Sequence, residues 1–222
     1  EHKKKRNGRR HDYVDPNFKA TTFNKFEGHD LLTSEIQTLI NKLTKITYMK
    51  LREDIFKKID EIIEKSDKEQ KNAFVTSLII LISKNKFNSE INVSLYGELL
   101  DKYELFKNSK KILLNEYKVL SESIKTVSKE NYDEFCDNNS LNDRRRAMGL
   151  FMTNMVKKRL LDNEIILEKI DFYQSKMNEN MEIENMKELN EEYAENIYVL
   201  VVNTASELYN NERWKKILEE VR

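Results

Sequence analysis

Four glycines and one proline are all the backbone punctuation in a chain of 222 residues. Hairpin-rich folds turn on glycine and proline, and dinucleotide-binding sheets need a glycine-rich loop. A chain this poor in both excludes those designs and points to helices joined by polar links. Lys, Glu, Asn, Leu and Ile dominate the rest. The expected class is all-α.

Apolar spacing supplies the helices. Residues 1–30 show no sustained period and read as an arm, basic and then aromatic. Residues 31–222 read as one helical-repeat domain. Leu32, Ile36, Leu39, Ile40 and Leu43 share a face, with Ser34 and Gln37 as a candidate capping box. After a break at Thr44–Thr47, Tyr48, Leu51, Ile55, Ile59 and Ile62 share the next face. Ser66 and Glu69 form a second candidate box, opening a helix whose run Leu78–Ile82 predicts the deepest burial. Further helices are expected over Ile91–Phe106, Ile112–Ile124, Arg144–Leu160, Ile165–Tyr173 and Tyr193–Leu208, with a last one around Trp214. Lys129–Ser140 reads as a loop or a single turn. Helices in sequence with short links are expected to stack as an α-solenoid of about five antiparallel pairs, HEAT-like in kind. A globular helical bundle is the alternative.

Charge narrows the function. Lys and Arg number 39, and so do Asp and Glu, which excludes a wholly basic protein. The balance is uneven along the chain. Residues 1–10 carry net +5 through Lys3, Lys4, Lys5, Arg6, Arg9 and Arg10, and the remainder carries −5. These six cations, with Arg144, Arg145 and Arg146, are the candidate RNA contacts. The competing readings are a solubilising tail for the arm and internal ion pairing for the three arginines. The segment Asn178–Glu195 holds seven Glu against Lys187 and is either a partner surface or a solvated face.

Catalysis has little to work with. The three histidines, His2, His11 and His29, all lie in the first thirty residues. Acid–base chemistry or metal ligation by histidine is thereby removed from the body. The single cysteine, Cys136, excludes a disulfide framework and a cysteine-rich zinc site. No phosphate-binding loop, zinc-protease motif or nucleophile elbow occurs. An enzyme is not expected, nor a catalytic residue, metal or cofactor. No run of about 18 apolar residues is present, so no membrane span is expected. An intracellular, cytoplasmic setting fits a lone cysteine.

Two segments together resemble a known family. Leu39-Ile40-Asn41-Lys42-Leu43-Thr44, followed by Tyr48, is similar to the segment that opens the middle domain of eukaryotic translation initiation factor 4G. Arg144 to Leu161, an arginine-rich start running into Phe151-Met152-Thr153-Asn154-Met155, resembles that domain's second hallmark. The resemblance covers about residues 31–210. Where the family has glycine, this chain has Ala147 and Thr153, which marks a divergent member, from a virus or an AT-biased genome. The resemblance implies a HEAT-repeat scaffold, monomeric on its own. It would bind a DEAD-box RNA helicase of the initiation factor 4A type and hold its lobes in a productive orientation. Carried over, the helicase contact falls on Ile40, Leu43 and Tyr48, with Phe18 and Phe23 extending it. Ile40 and Leu43 also fit as plain core positions by their spacing. Related scaffolds in mRNA decay, splicing or cap-binding complexes, and a stand-alone RNA-binding module, are the alternatives.

Overall fold

The structure is a computed structural model and describes residues 29–220. Its elements are α1 (His29–Asn41), α2 (Tyr48–Lys65), α3 (Lys68–Ser83), α4 (Ser89–Lys102), a 3₁₀ turn (Glu104–Phe106), α5 (Ser109–Glu122), α6 (Tyr132–Lys157), α7 (Asn163–Asn180), α8 (Lys187–Leu208) and α9 (Glu212–Glu220). The described residues hold no strand, as the scarcity of turn residues requires.

Cross-links fix how neighbours run. Lys58 of α2 pairs with Glu35 of α1, and Tyr48 directly follows the turn after Asn41, so α1 and α2 are antiparallel. Asn163 and Asn180, at the two ends of α7, reach Glu207 and Asn190 at the opposite ends of α8. α4 packs on α6 through the Asn154 amide, which donates to Ser89 Oγ at 3.0 Å, and through the Tyr96 and Phe151 rings, 5.9 Å apart. α6 runs parallel to α8. Arg145 and Gly149 of α6 meet Glu192 and Leu200 of α8. Among the described residues, α1 with α2 and α7 with α8 thus form antiparallel pairs, and α6 runs alongside α8.

The predicted faces form the core. Ile55, Ile59 and Ile62 of α2 are fully buried, as are Leu99, Phe106 and Tyr117. In the run Leu78–Ile82, Leu78, Ile79 and Ile82 are buried while Ile80 and Leu81 are partly exposed. Trp214 is buried on α9. Burying a Leu- or Ile-sized side chain contributes about 1.5–3 kcal/mol, so these stripes carry most of the fold's stability.

Several boundaries differ from expectation. α1 begins at His29, so Ser34 is an interior residue whose carbonyl accepts from Thr38 Oγ1 (3.0 Å), not a cap. The box at the start of α3 belongs to Asp67 and Gln70, one residue beyond Ser66 and Glu69. Asp67 Oδ1 accepts from Gln70 N at 2.8 Å, and Gln70 Oε1 accepts from Asp67 N at 3.0 Å. A carboxylate also answers the positive helix N-terminus, which a serine cannot. Asp67→Ala is expected to cost about 1 kcal/mol. Ser66→Ala should leave the urea midpoint nearly unmoved, and equal losses from the two would contradict the assignment. α4 ends at Lys102 because Tyr103 is extended, and Phe106 sits in the 3₁₀ turn. The largest departure is α6, which starts at Tyr132 and takes in most of the segment read as a loop. Asn131 caps it, accepting from Glu134 N.

Candidate partner-docking surface

Tyr48 opens α2 directly after the α1–α2 turn. Thr47 Oγ1 ties that turn, donating to the Lys42 carbonyl and accepting from Thr44 N, each at 2.9 Å. The Tyr48 hydroxyl donates to Glu98 Oε1 of α4 at 2.7 Å, and Arg52 Nη1 lies 3.2 Å from Glu98 Oε2. Burial raises the Tyr48 phenol, and Glu98 adds to the rise through hydrogen bond and charge while Arg52 opposes it. Tyr48 therefore stays a neutral donor, half-buried, and braces the first pair against the second.

Its predicted companions divide. Ile40 (1% exposed) and Leu43 (0%) are core residues and offer no surface to a partner. Their place as helicase contacts is corrected accordingly: they support the turn from beneath. The exposed apolar side chains are Ile46, at 94%, and Met49, at 64%. Neither was legible as a contact, since Ile46 falls in the break between two stripes and Met49 lies off the α2 stripe. The signal was there in Ile46 itself, an isoleucine in a polar turn with no apolar partner in phase. Phe18, Phe23 and the arm cations Lys3, Lys4, Lys5, Arg6, Arg9 and Arg10 lie outside the described residues.

The arginine run and the acidic segment meet each other. Arg145 is fully buried on α6. Its Nε donates to the Leu120 carbonyl (2.7 Å), and its Nη1 to Asn142 Oδ1 (2.9 Å) and Glu192 Oε1 (3.0 Å). Arg146 Nη1 reaches Glu192 Oε2 and Glu195 Oε2, both at 2.8 Å, and its Nη2 reaches Asp143 at 2.9 Å. Arg144 pairs with Glu116 of α5. Arg145 is thereby corrected as an RNA contact, because no phosphate can reach it. Arg146 is held by three carboxylates. Burial lowers the Arg145 pKa against the pull of Tyr173 and Glu192, yet a guanidinium keeps its proton. Glu192 and Glu195 are internal partners rather than a free acidic face.

Buried phenols line the same core. The Tyr173 hydroxyl donates to Tyr117 at 3.1 Å and lies 2.8 Å from Ser121 Oγ. Tyr96, buried beside Ser109, is pushed up to about 12 by burial, against about 10 for a free phenol. The raised pKa sets the sign. The stabilisation is complete below pH about 10 and is lost as pH climbs towards the folded value. Urea midpoints followed from pH 8 to 11.5 should fall above pH 10, and fall less steeply in Tyr96→Phe. Parallel slopes would contradict the assignment.

Cys136 is exposed on α6 rather than in a loop. Among the described residues, no group of three or more His, Cys, Asp or Glu is placed to hold a metal ion. No helix there is long and apolar enough to cross a membrane. The chain matches no family model, no curated protein and no solved structure.

Proposed function

We propose that the chain is a translation-initiation scaffold that binds and activates a DEAD-box RNA helicase of the initiation factor 4A type, with RNA contacts. The observation that carries the reading is the α1–α2 edge. Ile46 and Met49 project there beside Tyr48, on a turn fixed by threonine hydrogen bonds. Two exposed apolar side chains beside a half-buried tyrosine form a small apolar patch that can seat a partner protein. The antiparallel pairs α1–α2 and α7–α8 and the parallel packing of α6 on α8 support a HEAT-like solenoid, whose repeats touch chiefly their neighbours. Such a scaffold does no chemistry. It acts by binding the closed-competent helicase more tightly than the open one, which shifts the population and speeds the cycle. Its setting is cytoplasmic and it is monomeric alone.

Titration calorimetry with a purified helicase of this type tests the reading, with binding at micromolar Kd or tighter as the expected result. Absence of binding, with a decay, splicing or cap-binding partner retained instead, would move the scaffold to a related process.

A further inference from the structure

The α3–α4 turn faces α6 across an open groove of about 780 Å³. Lys84, Lys86 and Phe87 line it from the turn; Ser140, Asp143 and Arg144 are among its residues on α6. Phe87 is 97% exposed, the most exposed large apolar side chain among the described residues. The turn that carries it is firmly built. Asn85 Oδ1 accepts from Asn88 N (3.1 Å), and Asn92 Nδ2 donates to the Ile82 carbonyl (2.9 Å). Phe87 is thus presented on a hydrogen-bonded turn, and nothing among the described residues covers it.

The charge around it is unbalanced. Lys84 and Lys86 are exposed and form no ion pair among the described residues. Arg144 has a single carboxylate partner, Glu116, and its buried Nε has no hydrogen-bond partner. Arg146 is occupied by three carboxylates and adds no free charge. An aromatic face beside free cations in an open groove fits a single nucleic-acid strand, with a base on the ring and phosphates on the cations. An acidic peptide would use the lysines but would leave the ring without a planar partner.

We propose that this groove binds single-stranded RNA, with Phe87 stacking a base and Lys84, Lys86 and Arg144 holding the phosphates. The proposal deepens the RNA-contact part of the function above and does not depend on the helicase part.

The test is fluorescence anisotropy of the full chain with a labelled ten-nucleotide oligouridylate, over a range of salt. Phe87→Ala should weaken binding about tenfold or more, the loss of one stacked base, while Phe87→Trp should bind like the parent. The Trp at position 87 should also be quenched by the strand, above the background of buried Trp214. Lys84→Gln with Lys86→Gln should reduce the salt slope by about 1.4, the release of two phosphate contacts on a single strand. Unchanged affinity and slope in both sets would place the RNA elsewhere, for instance on residues 1–10, and overturn the proposal. Displacement of the RNA by polyglutamate, with Phe87→Ala silent, would make the groove a site for acidic protein and overturn it too. Helicase binding measured on the same variants separates the two readings. If it persists while the RNA results fail, the groove alone falls.

Discussion

Glu192→Ala is expected to destabilise the protein far more than Arg145→Met, although both break the same ion pair. The asymmetry lies in what each change leaves behind. Without Arg145, Glu192 keeps Arg146 at 2.8 Å and the Asn196 amide at 2.9 Å, and is 11% exposed. Methionine fills much of the vacated volume. Without Glu192, Arg145 remains fully buried and charged, with only the Leu120 carbonyl and Asn142 as acceptors. Removing one partner of a buried pair costs about 3–5 kcal/mol, because the other charge stays uncompensated. In a chain of this length that lowers Tm by about 6–20 °C. Calorimetry of the two variants and of Glu192→Gln decides the matter. The order expected is Arg145→Met mildest and Glu192→Ala worst. The reverse order would show that the arginine's packing, not its charge balance, holds α6 to α8.

Ile46→Asp combined with Met49→Asp is the second large effect, this time on binding. Both side chains stand in water in the free protein, so the double variant should melt within about 0.5 kcal/mol of the parent, as exposed substitutions do. Against the helicase, each change loses an apolar contact and places a carboxylate in a desolvated seam. Burial of a Leu-sized side chain contributes about 1.5–3 kcal/mol, so the pair should lose at least a hundredfold in affinity. Ile40→Ala should behave oppositely, lowering stability by about 2–5 kcal/mol through a core cavity. Titration calorimetry with thermal melts separates the two outcomes. Unaltered affinity in the double variant would show that the exposed edge is not the docking surface.

How much of this was legible in the sequence depends on how each residue signals itself. Amphipathic stripes announce helices, and α2, α5 and α7 bury most of the residues their spacing selects, with Tyr48, Leu51, Ile112 and Ile165 only partly covered. The first half of α6 has no such stripe. Tyr132–Ser140 is largely solvent-facing, so only Asn131 followed by Glu134 marked the helix start. Capping was seen but displaced at α3, since Ser66 and Asp67 each have a suitable residue three positions on. Spacing alone does not single out Arg145: it lies three residues before Met148 and seven before Met152, but Arg144 lies four before Met148 and seven before Phe151, and only Arg146 falls off that face. That Glu192 would meet Arg145 was not legible, because the contact joins two helices 47 positions apart in the chain. Ile46 and Phe87 were passed over because both lie in breaks, where periodicity has nothing to say. Exposure, rather than pattern, identifies them.

The central claim is activation of a helicase by a scaffold. ATP hydrolysis by a purified initiation factor 4A type helicase, with saturating RNA, tests it most directly. The rate is measured alone, with the full chain, and with the Ile46→Asp, Met49→Asp variant. The account predicts stimulation by the chain, little or none by the variant, and a partial loss with Tyr48→Ala. An unchanged rate with the chain added, and no binding in the same tube, would contradict it.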